Sequence, residues 1–399
     1  MQEELCFTRA FDPTVSFRLE QSICISRKPW WLGEMPWLLT LDQLRPIAWA
    51  RGTTREAETR RCHYSFYHLT GIGRLYKSIM KSSIAAAAAV FGGLTCASLY
   101  GESNLNHTCV LVPEYLSCSP QANAATVDSC CVETYGGLFL STQFWSVYTG
   151  LESHGQKLPA FSWTLHGLWP DFCNGTYGQY CDLSRQYDRA PSPNTTNGFP
   201  NGTIVPPYKG PSIQKFALEK FGRYDLIEWM NKYWIAQGQP NYEFWEHEFS
   251  KHATCYSTFD VPCFGPKYVQ HQEIIEFFET AIMYYLRLPT WGWLGAHGIY
   301  PSNSTTYTLS HMESALKQEY GALPYLGCTG PRYNETAAGK GSLDNGKTQF
   351  SEVWYNFHSY GRPQNGGTSR LDNGFPSNCA KTTGAVHYYE RASGSEVRY

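Results

Sequence analysis

The sequence of 399 residues has little charge. Asp, Glu, Lys and Arg make up 17% of it, below the roughly 25% of an average soluble protein, and this favours an extracellular protein over a cytosolic one. With 32 basic and 34 acidic residues the net charge is −2, which argues against a protein that holds long nucleic acid across a broad basic face. The 12 histidines make the net charge positive near about pH 5, because an ordinary imidazole titrates around pH 6.5.

Long apolar runs are also scarce. The apolar run at residues 84–99 has about 16 residues, fewer than the roughly 20 that a membrane-spanning helix needs. Two lysines precede the run and small residues lie near its end. This pattern predicts a signal peptide over residues 80–98, with translation starting at Met80, and no membrane attachment after its cleavage. Residues 1–79 are then interpreted as a gene-model extension or a disordered segment.

Pairs of CxxC motifs with the spacing of a zinc site are absent from the sequence. Of the 14 cysteines, four precede residue 100 and ten follow it, and these ten predict disulfide bonds formed in an oxidising compartment. The sequence alone does not choose among the possible pairings. Six N-glycosylation triplets indicate the same compartment, and they begin at Asn106, Asn174, Asn194, Asn201, Asn303 and Asn334. We therefore expect a secreted glycoprotein.

Residues 104–380 contain no internal repeat and no long linker. We expect them to form one domain, followed by a C-terminal tail at 381–399. The stretch 190–211 is rich in Pro, Asn, Gly and Thr, which indicates a glycosylated surface loop. Apolar residues at helical spacing predict two short helices within 213–233, separated at Gly222, and a third helix at 274–288.

The remaining elements follow from local signals. Ser310 and Glu313 form a capping box that predicts a helix start, and Gly321 is placed to end that helix. Short aromatic or β-branched segments bounded by glycine or proline predict strands, and these lie at 137–143, 161–168 and 353–360. This mixture of helices and strands predicts the α+β class.

Two segments concentrate the residues that could carry chemistry. The first, 161–173, reads FSWTLHGLWPDFC and places His166 on a predicted strand. The second, 244–255, reads FWEHEFSKHATC and holds two histidines, two glutamates and a lysine. A single histidine in a strand is more often a packed residue than a functional one, so the case depends on the cluster.

The second segment becomes a cluster if it is helical. Glu248 and His252 are then four residues apart on one face, and His247 and Lys251 form a second stripe about 100° further around the helix. Such donors and cations suit a dianionic, phosphorane-like transition state, and the cluster has no nucleophile of its own.

Paired histidines suit a reaction whose nucleophile belongs to the substrate. With His166 supplying the second imidazole, one histidine can remove a proton from an attacking hydroxyl while the other protonates a leaving oxygen. RNA provides that hydroxyl as its ribose 2′-OH. Cleavage through a 2′,3′-cyclic phosphate then needs neither a metal ion nor a covalent enzyme intermediate.

Aromatic residues near His166 have either a binding or a packing role. Trp169 and Tyr177 are candidates to stack a base. Asp171 either reads a base or turns the chain after a proline. Trp163 and Trp245 are expected to lie in the core.

A zinc protease is the main alternative, since His247 and Glu248 begin like the motif HExxH. The spacing fails, because the second histidine of that motif would stand where this chain has Lys251, and His252 is one position too late. The sequence also lacks GxSxG, a phosphate-binding loop and a dinucleotide fingerprint. We expect no metal and no cofactor.

Segments 161–173 and 244–255 resemble the two active-site blocks of the ribonuclease T2 family, the acid ribonucleases of fungi, plants and animals. The resemblance covers residues 109–379 and includes the adjacent Cys130 and Cys131, which are typical of fungal members. It implies an α+β fold in which an antiparallel sheet is flanked by helices and held by disulfides.

The resemblance also implies roles for individual residues. The catalytic residues of the family match His166, Glu248 and His252. His247 and Lys251 match contacts to the phosphate and the transition state. The general base of the family matches His252 and the general acid His166, although spacing alone permits the reverse.

Binding residues carry over in the same way. The first base site of the family matches Trp169, Asp171 and Tyr177, and Gln143 and Phe244 fit the second.

The fungal pattern further implies five disulfides, namely Cys109–Cys131, Cys118–Cys173, Cys130–Cys263, Cys181–Cys255 and Cys328–Cys379. One departure is Ala253, which stands where the family usually has glycine.

Together these features predict a secreted, metal-independent endoribonuclease that cleaves single-stranded RNA through a 2′,3′-cyclic phosphate to 3′-phosphate ends. We expect an acidic pH optimum, weak base preference, a monomer, and a destination in the medium, the wall or the vacuole. The alternative is a secreted RNA-binding or toxin-like protein on the same fold that has lost catalysis.

Overall fold

The computed structural model of the chain describes residues 5–6, 24–25, 109–336 and 343–399. Internal contacts divide the chain into two units, Met1–Met80 and Lys81–Tyr399. In the first unit, strand β1 at Leu5–Cys6 pairs antiparallel with β2 at Cys24–Ile25. The predicted signal peptide and the triplet at Asn106 lie outside the described residues.

Among the described helices, none combines the length and the apolar character that crossing a membrane requires.

A seven-stranded sheet forms the framework of the second unit. Its strands are joined in the order β5, β3, β8, β10, β6, and β7 and β9 also pair with β8. Every pairing in this sheet is antiparallel except the parallel contact between β10 and β8. The strands are β3 at Leu138–Phe144, β5 at Thr164–Asp171, β6 at Thr306–Tyr307, β7 at Tyr325–Arg332, β8 at Lys347–Ser359, β9 at Thr368–Leu371 and β10 at Val386–His387.

Helices flank this sheet, so the predicted α+β class is confirmed. They are α1 at Tyr224–Tyr233, α2 at Asn241–Lys251, α3 at Gln272–Tyr285, α4 at Thr290–Ala296, α5 at Leu309–Tyr320 and the single turn α6 at Tyr333–Thr336. A π-helical segment, Gln214–Glu219, precedes α1.

One face of strand β8 packs into the core, and its other face is turned toward the candidate site. Its residues Val353, Tyr355 and Phe357 are buried, and side chains alternate between the two faces of a strand. Glu352 and Trp354 therefore point to the opposite face, where the candidate site lies.

Two apolar clusters lie against this framework. The first joins residues of β3, β5 and α1 to α3, among them Phe139, Leu168, Met230, Phe249 and Phe277. The second joins residues of α4, α5, β7, β8 and the C-terminal segment, among them Trp163, Leu316, Val353, Tyr355 and Tyr388. Trp163 and Trp245 are both buried, as the sequence predicts.

Glycines end two of the predicted helical stretches. Gly222 has φ +67° between the π-helical segment and α1, and Gly321 has φ +85° directly after α5. The predicted capping box at Ser310 is wrong. Helix α5 begins at Leu309, with Thr308 as its N-cap, so Ser310 lies within the first turn.

Two strand predictions are displaced. The predicted strand at 161–168 begins only at Thr164, because Phe161 has a left-handed backbone with φ +58° that a strand cannot contain. The predicted strand at 353–360 begins at Lys347, since its first half pairs with β7, a distant partner that local patterns do not reveal.

Residues 381–399, expected as a tail, are built into the domain. They supply β10 to the main sheet, and strand β11 at Glu396–Val397 pairs with β4 at Leu158–Pro159. The buried guanidinium of Arg391 lies 4.0 Å from the ring centroid of Trp145 and donates a hydrogen bond to the carbonyl of Ser162.

The described residues from 109 onward form five disulfide bonds, and all five pairings implied by the resemblance are confirmed. They are Cys109–Cys131, Cys118–Cys173, Cys130–Cys263, Cys181–Cys255 and Cys328–Cys379. The bond between Cys181 and Cys255 joins the loop after β5 to the segment after α2. The amide of Tyr180 also donates a hydrogen bond to the carbonyl of Lys251, so the loop that follows β5 is tied to the end of α2 both covalently and by hydrogen bonding.

Replacing Cys181 and Cys255 by alanine should lower the free energy of unfolding by about 4 kcal/mol, because this bond closes a long loop in the unfolded chain. The sequence separation is 74 residues, against 22 for Cys109 and Cys131. The matched double variant at Cys109 and Cys131 should lose about 1 kcal/mol less. Urea unfolding measures both, and a loss below about 1 kcal/mol at the first pair would contradict the expectation.

Candidate active site

A β-bulge positions His166. Thr142 of β3 pairs with Gly167 of β5, but the next residue, Gln143, pairs with Leu165. His166 is thus an extra residue between two paired positions, and a bulge of this kind re-aims a side chain. The indole of Trp234 donates a hydrogen bond to the carbonyl of His166 at 2.7 Å, which supports the distorted backbone.

Helix α2 presents the second set of residues. It places Glu248, fully buried, and half-buried His247 and Lys251 along two stripes, as predicted. The helix ends at Lys251, and His252 is its C-cap, whose amide donates to the carbonyl of Glu248. The adjacent Ala253 is fully buried, so its methyl group is accommodated within the core.

The carboxylate of Glu248 lies at the centre of the site. One oxygen accepts a hydrogen bond from the indole of Trp169 at 2.9 Å, and the other lies 3.4 Å from Nε2 of His166. Burial by itself would raise the pKa of Glu248, but the histidines around it, His166 first among them, outweigh burial and lower the pKa to about 2. Glu248 is therefore an anion throughout the acidic and neutral range.

Gly167 makes this position of Glu248 possible. A Cβ atom at Gly167 would lie 1.9 Å from Oε2 of Glu248 and 2.6 Å from the indole nitrogen of Trp169. Both distances are far below van der Waals contact, so a residue with a side chain would displace the carboxylate.

His166 lies between two carboxylates. Its Nδ1 is 2.7 Å from Oε1 of Glu352 and its Nε2 faces Glu248. Burial lowers the pKa of His166, but the charge of Glu248, together with the charge and hydrogen bond of Glu352, outweighs burial and raises the pKa to about 9. His166 is a cation at neutral pH.

His252 has the opposite environment. It is buried and its ring stacks on Trp169, with 4.9 Å between centroids. Burial lowers its pKa well below the usual range, and the charges of Lys251 and His247 lower it further although Glu248 opposes them. His252 is therefore neutral where His166 is charged.

His247 and Lys251 flank the two catalytic candidates. Nδ1 of His247 lies 2.7 Å from Oδ2 of the buried Asp188, which also accepts a hydrogen bond from the hydroxyl of Tyr180. The ammonium of Lys251 donates to the carbonyl of Ser192 at 3.0 Å. Burial lowers the pKa of Lys251, against the charges of Glu248 and Asp188.

The predicted base-site residues lie at the end of β5. Asp171 and Tyr177 form an isolated antiparallel bridge, which closes a hairpin that contains the predicted glycosylation site Asn174. Tyr177 is 58% exposed and is free to stack, whereas burial raises the pKa of Asp171 to about 7. Trp169 is part of the catalytic cluster as well, through Glu248 and His252.

Gln143 and Phe244, the two residues that fit a second base site, lie in different surroundings. Gln143 is fully buried, and its side chain is bound to the carbonyl of Leu288 and the hydroxyl of Thr290. Phe244, in contrast, lines a cavity of about 490 Å³ next to the site. Other lining side chains of this cavity include Phe144, Tyr148, Gln237, Gln239 and Glu352.

Sequence reasoning missed Glu352, Asp188 and Gly167. Glu352 is 186 residues from His166 in sequence and Asp188 is 59 residues from His247, and no local pattern marks either residue. The glycine after His166 was visible, but its reason, the approach of a buried carboxylate, depends on the fold.

His247, Glu248 and His252 are the described groups that come close enough to consider as metal ligands, with ligand atoms within 4.8 Å of one another. The fit is poor. Nδ1 of His247 is bound to Asp188, and the charge of Glu248 is already balanced by protonated His166. A further cation would compete with His166 and be repelled by Lys251.

Comparison with known proteins identifies similar chains. A sequence profile of the Ribonuclease T2 family matches residues 136–365. Ribonuclease Le2 of Lentinula edodes is 36% identical over 222 residues, which cover 55% of this chain and 79% of that protein. Actibind, a T2 ribonuclease, has a crystal structure with a TM-score of 0.52 and 31% identity, covering 70% of this chain and 97% of that chain.

Some relatives are longer. Ribonuclease T2-like 1-A of Candida albicans is 33% identical over 246 residues, which cover 62% of this chain and 51% of that protein. The chain therefore spans about half the length of this curated relative, and 54% of a similar protein from Aspergillus fumigatus.

Replacing Gly167 by alanine should lower the pKa of His166 from about 9 by about one unit or more, because the added methyl group displaces Glu248. Titration of the imidazole resonances by NMR measures this shift. The matched control is Gly292→Ala, since a Cβ atom there meets nothing within 4 Å, and the pKa of His166 should not change. An unaltered His166 titration in a folded Gly167→Ala protein would contradict the proposed clash.

Proposed function

This chain belongs to the ribonuclease T2 family, and we propose that it is an endoribonuclease that cleaves single-stranded RNA by transphosphorylation. The observation that carries the proposal is the pairing of a protonated histidine, His166, with a neutral one, His252, around the buried anion Glu248. General acid and base catalysis requires one imidazole in each form at the same pH.

The first step forms a cyclic phosphate. Neutral His252 removes the proton of the ribose 2′-OH, and the 2′-oxygen forms a bond to phosphorus. The bond from phosphorus to the 5′-oxygen breaks, and His166 gives its proton to that oxygen. The products are a 2′,3′-cyclic phosphate and a free 5′-OH, and the enzyme is left with protonated His252 and neutral His166.

The second step returns the protons. His166 now removes a proton from water, which attacks phosphorus, and His252 protonates the departing 2′-oxygen to give a 3′-phosphate. The ammonium of Lys251 and the imidazole of His247 lie beside the catalytic pair and stabilise the negative charge that develops on the phosphoryl oxygens. The substrate and water supply the nucleophiles, and side chains of this protein supply the acid, the base and the positive charge, so the mechanism requires no metal ion.

The surroundings of the two histidines support one assignment of roles. His166 is held by Glu248 and Glu352, which favour its charged form, whereas His252 is buried beside Lys251 and His247, which disfavour it. Sequence spacing permits either order, but a general acid must start protonated and a general base must start neutral. We therefore assign the acid to His166 and the base to His252.

Two neighbouring surfaces support RNA binding. Exposed Tyr177, with Asp171 opposite it, provides a stacking surface on one side of the catalytic cluster. The cavity beside Phe144 and Phe244 has about 490 Å³ and would take the nucleoside on the other side of the scissile bond. Aromatic stacking tolerates every base, which supports weak base preference.

Secretion or delivery to the vacuole is part of the proposal. Five disulfides support an oxidising compartment. Four of the predicted glycosylation sites lie on exposed side chains, namely Asn174, Asn194, Asn201 and Asn303. We also propose that the protein acts as a monomer.

Full-length protein should cleave single-stranded homopolymers of RNA at pH 5 in excess EDTA and leave 2′,3′-cyclic phosphate ends, followed by 3′-phosphates. End-group analysis by mass spectrometry identifies the products. His252→Phe should abolish turnover while leaving the melting temperature close to that of the wild type. Products with 5′-phosphate ends, or inhibition by EDTA, would contradict the mechanism.

Wild-type protein that binds RNA without cutting it would favour the inactive, RNA-binding alternative.

Activity should be highest at acidic pH. Cleavage requires neutral His252 and protonated His166, so kcat/KM should fall below the pKa of His252, which lies well under 6.5, and again above about 9. Between these limits a lower pH makes the protein less negative and favours binding of the polyanion. A pH profile of kcat/KM checks this, and a maximum above pH 8 would count against it.

A further inference from the structure

We propose that Glu352 is a positioning residue for catalysis, which fixes the imidazole of His166 so that Nε2 presents the proton to the leaving oxygen. The inference rests on the proposed function, in which His166 is the general acid. Although Glu352 also lines the cavity beside Phe244, its Oε1 contacts Nδ1 of His166 and not the nitrogen that delivers the proton. Glu352 therefore acts through His166, and a binding role in the cavity would instead change KM.

The two carboxylates beside His166 lie at unequal distances from its ring nitrogens. Oε1 of Glu352 lies 2.7 Å from Nδ1, the distance of a strong charge-assisted hydrogen bond. Oε1 of Glu248 lies 3.4 Å from Nε2, which is too long for such a bond. The proton on Nδ1 is therefore held, whereas the proton on Nε2 remains available for transfer.

Glu352 also completes a clamp around the ring. The ring of Phe144 stacks on His166 with 3.7 Å between centroids and an interplanar angle of 19°, and Trp169 meets it edge-on at 4.7 Å. Phe144 and Glu352 are register partners on the neighbouring strands β3 and β8. One pair of cross-strand positions thus fixes both the plane of the imidazole and its rotation within that plane.

The residue that pairs with Glu352 from the neighbouring strand β7 leaves space for its carboxylate. Gly327 of β7 is its register partner on the other side of β8. A Cβ atom at Gly327 would lie 3.1 Å from Cβ of Glu352 and 3.5 Å from its Oε2. A side chain at Gly327 would therefore crowd the carboxylate.

The contacts of Glu352 argue against a purely structural role. Its side chain is 19% exposed, and within residues 109–336 and 343–399 His166 is its one ion-pair partner. The titratable groups that face His166 are Glu248 of α2, His252 at the C-cap of α2, and Glu352 of β8. Loss of Glu352 should thus impair His166 as the general acid more than it destabilises the fold.

The test compares Glu352→Gln and Glu352→Ala with the wild type on two substrates. On RNA, we expect kcat to fall about 10-fold in Glu352→Gln and further in Glu352→Ala, with KM unchanged, because general acid catalysis is impaired. The alkaline limb of the pH profile should move down by about one unit, since a charge beside His166 is lost. Glutamine keeps the shape and an acceptor oxygen, so this variant separates charge from orientation.

The second substrate is a ribonucleoside 3′-(4-nitrophenyl phosphate), whose leaving group needs no proton. Both variants should cleave it within about 2-fold of the wild-type rate, because only the acid step depends on the positioned proton. Equal losses on the two substrates would show a structural role and overturn the proposal. The proposal would also be overturned if both variants cleaved RNA at the wild-type rate with an unchanged alkaline limb of the pH profile.

The matched control is Glu319→Gln. Glu319 lies 3.0 Å from Nε2 of His297, so it is also a carboxylate paired with a histidine, but it lies outside the active site. This variant should keep the wild-type rates on both substrates. Failure of the wild type to cleave RNA would instead refute the proposed function, and that result is distinct from a failure confined to the Glu352 variants.

Discussion

The buried carboxylate of Glu248 is the interaction on which the rest of the site depends. A fully buried charge is costly unless it is paired and hydrogen-bonded. Here the indole of Trp169 donates to one oxygen and protonated His166 lies beside the other. Because the anion is retained at the centre, the surrounding groups must include a cation, and His166 supplies it.

The backbone is arranged to allow this burial. A bulge in β5 turns His166 toward the site, and the glycine after it leaves the space that the carboxylate of Glu248 occupies. The disulfide Cys181–Cys255 joins the loop after β5 to the segment after α2. Strand and helix thus keep a fixed separation, which a buried ion pair of this kind requires.

The same arrangement makes two identical side chains chemically different. His166 and His252 both lie near Glu248, but His166 has a second carboxylate, Glu352, while His252 has Lys251 and His247 as neighbours. The pKa values of the two imidazoles consequently move in opposite directions from the ordinary value. A protonated and a neutral imidazole can thus coexist at one pH because of their surroundings alone, without any difference in residue type.

The sequence by itself identified segments 161–173 and 244–255 and the α+β class, because these depend on short-range spacing and residue type. The five cysteine pairings came only from the family resemblance, since they join residues as far as 133 positions apart. The sequence left open which histidine is the acid. The surroundings that support our assignment of the acid to His166, together with the positions of Glu352 and Asp188, the bulge at His166 and the burial of Gln143, were decided by the tertiary structure. The physical reason is that a pKa and a hydrogen-bond partner depend on which distant strands and helices surround a group, and β8 brings Glu352 to His166 across 186 residues.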